Sequence, residues 1–100
     1  MKHCIIVKWN EGEDKAALLE KARGLFSRCG EAEGAQAVRI VPNCVDRPNR
    51  YDLAVVLDVE PGSLSVWDAS ALHREWKESF GPFIAGKAIF DFDPLKEDLL

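Results

Sequence analysis

The stretch Tyr51-Asp52-Leu53-Ala54-Val55-Val56-Leu57-Asp58-Val59 decides the fold. Its run of aliphatic and β-branched residues predicts a strand. Successive strand side chains point to opposite faces. Tyr51, Leu53, Val55, Leu57 and Val59 therefore share one face, and Asp52, Ala54, Val56 and Asp58 the other. The first face is apolar throughout and the second is apolar in its middle. A strand apolar on both sides belongs to a sheet that is covered on both sides.

The flanking sequence supplies the rest of that sheet. Lys2 to Trp9 reads as a strand with His3, Ile5, Val7 and Trp9 set against Cys4, Ile6 and Lys8, and Asn10-Glu11-Gly12 ends it. Over 13–29, Leu18, Ala22, Leu25, Phe26 and Cys29 fall on one helical stripe, and Gly30 is placed to stop the helix. A second strand is expected over 35–41, closed by Pro42, followed by a loop from Asn43 to Asn49. After the long strand, Pro61-Gly62-Ser63 is a break, with Ser63 placed to cap a short helix over 64–70. A second helical piece spans 71–80 and ends at Gly81-Pro82. A last strand, 86–92, sets Phe90 and Phe92 opposite Ile89 and Asp91. The order β-α-β-β-α-β predicts an α+β, ferredoxin-like fold with an antiparallel sheet. One domain is expected over 1–93, with 94–100 as a C-terminal tail. Helices in this order cover one sheet face only. The other face needs a partner, and a symmetric homodimer with sheets packed face to face, a dimeric α+β barrel, is the simplest one.

Composition narrows the function classes. The 100-residue chain is 47% hydrophobic and 30% charged, which places it among globular proteins. A net charge of −4 lacks the footprint of a nucleic-acid binder, and the interspersed charges argue against an anionic membrane surface. The three cysteines, Cys4, Cys29 and Cys44, are odd in number and form no C-x-x-C, so a reducing cytoplasm is the expected location. No leader pattern and no apolar run of bilayer length is visible. Gly-rich phosphate loops, H-E-x-x-H and G-x-S-x-G are all missing, so nucleotide, zinc-hydrolase and serine-hydrolase readings find no support. Asp91 and Asp93 can face the same way, but no third ligand accompanies them. They are expected to be rim charges, and neither a metal nor a cofactor is expected.

The candidate chemistry centres on His73, between Trp67 and Trp76. Imidazole changes charge near neutral pH, so a partly buried histidine can take a proton from a ligand. The plainer alternative is a core-edge histidine bonded to a backbone carbonyl. His3, the other histidine, shares a strand face with Ile5 and Val7 and meets His73 if the helices cover that face. Its alternative is a water-exposed strand end. Trp67 and Trp76 are candidate pocket walls or ordinary core, and Leu53 and Tyr51 are further candidates for lining.

Four ordered stretches carry a resemblance. They are Lys2-His3-Cys4-Ile5-Ile6-Val7-Lys8-Trp9, Arg50-Tyr51-Asp52-Leu53-Ala54-Val55-Val56, Leu72-His73-Arg74-Glu75-Trp76 and Ile89-Phe90-Asp91-Phe92. Together they resemble the stress-responsive A/B barrel (Dabb) family of dimeric α+β barrels. That family has a His-Pro-x-His pattern with an aromatic residue three positions on. Here Ser70 and Ala71 replace the first two residues, while His73 and Trp76 remain. The resemblance implies a role for His73 as general base, as in a plant polyketide cyclase of the family, with His3 lining the pocket. This chain has Trp67 and Leu53 where that cyclase has tyrosine and histidine.

Three classes of function stay open. One is a cofactor-free enzyme acting on a small aromatic or polyketide-like metabolite. The second is a binder of such a molecule without turnover. The third is a structural, stress-associated dimer whose own side chains fill the cavity.

Overall fold

Along Lys2–Trp9 (β1) half-buried and buried residues alternate strictly, as expected of a central strand with one face against the core. In the computed structural model, which describes residues 1–98, β1 lies between two antiparallel neighbours. The other elements are Lys15–Phe26 (α1), Ala37–Pro42 (β2), Leu53–Asp58 (β3), Leu64–Ala69 (α2), Ala71–Phe80 (α3) and Ile84–Phe92 (β4). Sheet order is β2-β3-β1-β4, every pair antiparallel, which is the expected ferredoxin-like α+β architecture. The tail predicted over 94–100 opens with a 3₁₀ turn at Pro94–Lys96, and its last two positions lie outside the described residues.

Local chemistry shifts several boundaries. The Asp14 side chain accepts the Ala17 N–H and starts α1. The N–H groups of Arg28 and Cys29 bond the carbonyls of Leu25 and Phe26, so the helix tightens and ends at Phe26 rather than Cys29. β2 starts at Ala37 because Gly34 turns the chain first, at φ +88°. Gly34 also lies under the start of α2, where a Cβ would sit 2.8 Å from the Ser63 carbonyl oxygen and 2.9 Å from the Trp67 nitrogen. Ser63 caps α2 through its backbone carbonyl, which accepts from Val66 and Trp67, and its side chain makes no cap bond. β3 starts two residues after Tyr51, and β4 two residues before Gly86.

The helices cover the face that carries Ile5, Val7, Val55 and Leu57, all buried. Trp67, Trp76 and Phe80 fill the space between that face and the helices. Burying a large aromatic side chain is worth about 3–5 kcal/mol against alanine, so these rings dominate the core. The second sheet face is uncovered. There Cys4 stands between Val56 and Phe90, and Ile6 between Ala54 and Ala88. Phe90 is 61% and Val41 47% exposed. Both faces are therefore apolar, and one chain covers only one of them. Among the described residues no helix is long and apolar enough to cross a membrane.

Candidate functional site

The helix-facing side of β4 carries Lys87, Ile89 and Asp91, in register with Val7, Ile5 and His3 of β1. The α2–α3 corner stops short of this edge strand and leaves Ile89 49% exposed. The result is a cleft of about 280 Å³ lined by His3, Ile5, Ile89, Asp91 and Lys87 from the sheet. Leu64, Asp68, His73, Trp76 and Lys77 line it from the helices. His3 and His73 thus meet in one cleft, although they are seventy positions apart.

His3 is buried rather than at a frayed end, and its Nδ1 bonds the Asp91 carboxylate. His73 sits in the first turn of α3, where its backbone N–H donates to Ser70 Oγ at 3.1 Å. Ser70 stands where the family pattern has its first histidine, and here it is the cap of α3. The chain turns sharply at this cap, leaving the Asp68 carbonyl among the unpaired carbonyls at the end of α2. His73 Nδ1 lies 3.0 Å from that oxygen. A carbonyl only accepts, so Nδ1 carries the hydrogen, and in the neutral ring the lone pair is on Nε2. The same logic against a carboxylate puts a hydrogen on His3 Nδ1. The ring of His73 also lies edge-on to Trp67, with centroids 5.1 Å apart at 61°.

The remaining predicted residues divide. Trp76 walls the cleft while packing on Phe26 and Phe80. Trp67 is fully buried between Phe26 and His73 and does not line the cleft, and its indole N–H has no partner among the described residues. Leu53 shares the face of His3 but pairs with Val7, four residues along β1. At roughly 3.3 Å per residue it stands about 13 Å from the His3 level, outside the cleft. Tyr51 precedes β3, so strand alternation does not govern it, and its hydroxyl rests against Gly86, which pairs with Lys8 of the uncovered face. Asp91, expected as a rim charge, is exposed and also bonds His3, and Asp93 caps the Leu95 N–H. Lys77, Lys87 and Asp68 escaped the sequence reading. Alternation of Lys87 with Ile89 and Asp91, and the four-residue step from His73 to Lys77, were the signals available.

A larger hollow of about 450 Å³ lies at the other end of β1, lined by Trp9, Lys15, Cys44, Asp46, Asp52 and Leu53 among others. Its central carboxylate is occupied. Asp52 accepts the Trp9 N–H and the Lys15 ammonium, each at 2.8 Å. Burial pushes the Asp52 carboxyl up, but the Lys15 hydrogen bond, the Trp9 N–H and the charges of Lys15 and Lys8 outweigh it and hold the pKa below the usual range.

No family model and no curated protein matches the chain. Solved structures do. A dimeric ferredoxin-like protein of unknown function from Thermobifida fusca superposes with a TM-score of 0.73 at 16% identity, covering 91% of this chain and 87% of its own. The Arabidopsis thaliana protein At3g17210 gives 0.72 at 17% identity, with 98% of each chain covered. A Dabb family protein with a ferredoxin-like fold from Mesorhizobium loti gives 0.69 at 9% identity, covering 93% and 94%. The resemblance read from the sequence is therefore met at the level of the fold.

Proposed function

We propose that the protein is a cytoplasmic homodimer of the stress-responsive A/B barrel type whose cleft binds a small apolar or aromatic metabolite. His73 acts on it as a general base without a cofactor. The observation that carries this reading is that both imidazoles of one cleft spend Nδ1 on an oxygen acceptor, which leaves Nε2 as the basic atom. In that role His73 Nε2 takes a proton from a C–H or O–H beside a carbonyl, His3 orients the substrate oxygen, and the proton returns to the product. General-base catalysis of this kind contributes roughly 10²–10⁴-fold. The dimer rests on the bare apolar sheet face, and neighbours of the same fold are described as dimeric. The free cysteines Cys4, Cys29 and Cys44 agree with a reducing compartment.

Binding without turnover is the second reading. Trp67, Trp76 and Phe80 fill the centre, and the cleft falls just below the roughly 300–1,000 Å³ of ordinary ligand pockets. Titration of phenolic and polyketide-like compounds, followed by tryptophan fluorescence, tests both readings, because Trp76 lines the cleft. Turnover that falls at least 100-fold in His73→Ala with affinity kept supports the base. Binding with no turnover in either protein leaves the binder, and no binding at all removes both. A monomer in sedimentation at micromolar concentration removes the dimer.

A further inference from the structure

We propose that the ligand of this cleft carries a carboxylate, held between the ammonium groups of Lys77 and Lys87. The inference rests on the cleft being the ligand site and adds the chemical class of what enters it. Lys77 lies one turn beyond His73 on α3, so the two side chains share a helix face. Lys87 lies on the helix-facing side of β4, opposite Val7. Both line the cleft, from opposite walls. Neither forms an ion pair among the described residues, and what sets the two apart from other unpaired cations is that both line this cleft.

Neither carboxylate of the cleft is in direct contact with the lysines. Asp91 is engaged by His3, and Asp68 lies beyond ion-pair distance of both lysines. The apolar lining of the same cleft is Ile5, Leu64, Trp76 and Ile89. Two unmatched cations over an apolar floor fit an amphiphilic monoanion. A volume of about 280 Å³ limits it to one ring with a short substituent. A carboxylate on such a ring sits at the lysines while the ring lies on Trp76, and the basic nitrogens face the same space. A charged lysine on an edge strand also discourages strand pairing, and binding data separate the two roles.

The test is a fluorescence titration with three probes of one shape: 4-propylbenzoate, 4-propylbenzamide and 4-propylbenzylamine. The benzoate is expected to bind about tenfold more tightly than the amide, as charge-assisted contacts allow. Lys77→Met and Lys87→Met keep the apolar stems. Each is expected to weaken the benzoate roughly fivefold and leave the amide unchanged. Equal affinity of benzoate and amide overturns the carboxylate assignment while the ligand cleft stands. Equal losses for both probes in the lysine variants, which mark packing, overturn it as well. Preference for the benzylamine, lost in Asp68→Asn, overturns it in favour of a cation. If none of the three probes binds, the ligand cleft itself falls.

Discussion

The two ends of β1 each carry a hollow with ionisable side chains, and they use them differently. At the Trp9 end, Asp52 is matched on both sides, by a backbone N–H and by Lys15. At the His3 end, each imidazole is held through one nitrogen, and two lysines line the walls without a counter-ion among the described residues. Size does not separate the two, because the hollow around the matched Asp52 is the larger. The state of the principal groups does: Asp52 is paired twice, while each imidazole keeps one nitrogen free of a protein partner. A paired carboxylate joining a strand end to a helix stabilises the fold, while oriented but unspent groups are available to a ligand.

The largest effect is expected from Gly34→Ala, which strikes the start of α2. At φ +88° a side chain costs roughly 1–2 kcal/mol, and the close approaches to the Ser63 carbonyl and Trp67 nitrogen add to it. A loss of about 3 kcal/mol in urea unfolding is expected. The displaced start of α2 is also expected to move the Asp68 carbonyl and weaken ligand binding at the cleft. If binding survives unchanged, the corner is not what positions His73.

Asp52→Ala comes next, at the other end. It leaves the Trp9 N–H without its acceptor and Lys15 without its partner, for about 2 kcal/mol of stability. Ligand binding near His73 is expected to stay the same, and a tenfold loss of affinity there erases the division between the two ends. The same carboxylate sets an acid limit. Its pKa is lowered in the folded protein, so its contribution is complete above the ordinary aspartate value of about 3.9 and fades as the pH falls through the folded value. The stability gap between wild type and Asp52→Asn is therefore expected to be full at pH 7 and to shrink on acidification below pH 4. A gap independent of pH shows that the charge of Asp52 is not what stabilises this end.

Much of this contrast was legible in the chain. Alternation in Lys2–Trp9 and Leu53–Asp58 predicts both strands and the side on which His3 lies. Alternation gives the face of a residue and says nothing of its height along the sheet. Leu53 and His3 lie on one face, yet pairing with Val7 sets Leu53 at the far end. Trp67 lies behind the cleft for a related reason. Its place in the short α2, behind His73, depends on the sharp turn at Ser70, which a capping serine signals only in outline. Lys77 and Lys87 read as ordinary solvent-facing charges and are exposed; what alternation cannot show is that the corner of α2 and α3 leaves the edge of β4 uncovered and sets both beside one cleft.

The smallest expected effect decides how the histidine end is built. Asp91→Ala removes the acceptor of the buried His3 Nδ1–H, and an orphaned buried donor costs about 1 kcal/mol or more. Asp91 is itself half-exposed, so water can replace the carboxylate and keep the loss near that lower figure. Asp91→Asn retains an acceptor oxygen and is expected to recover most of the stability. If His3 orients a ligand oxygen, Asp91→Ala also weakens binding several-fold while Asp91→Asn does not. If the pair serves folding alone, both variants bind as wild type does, and the chemistry of the cleft rests on His73.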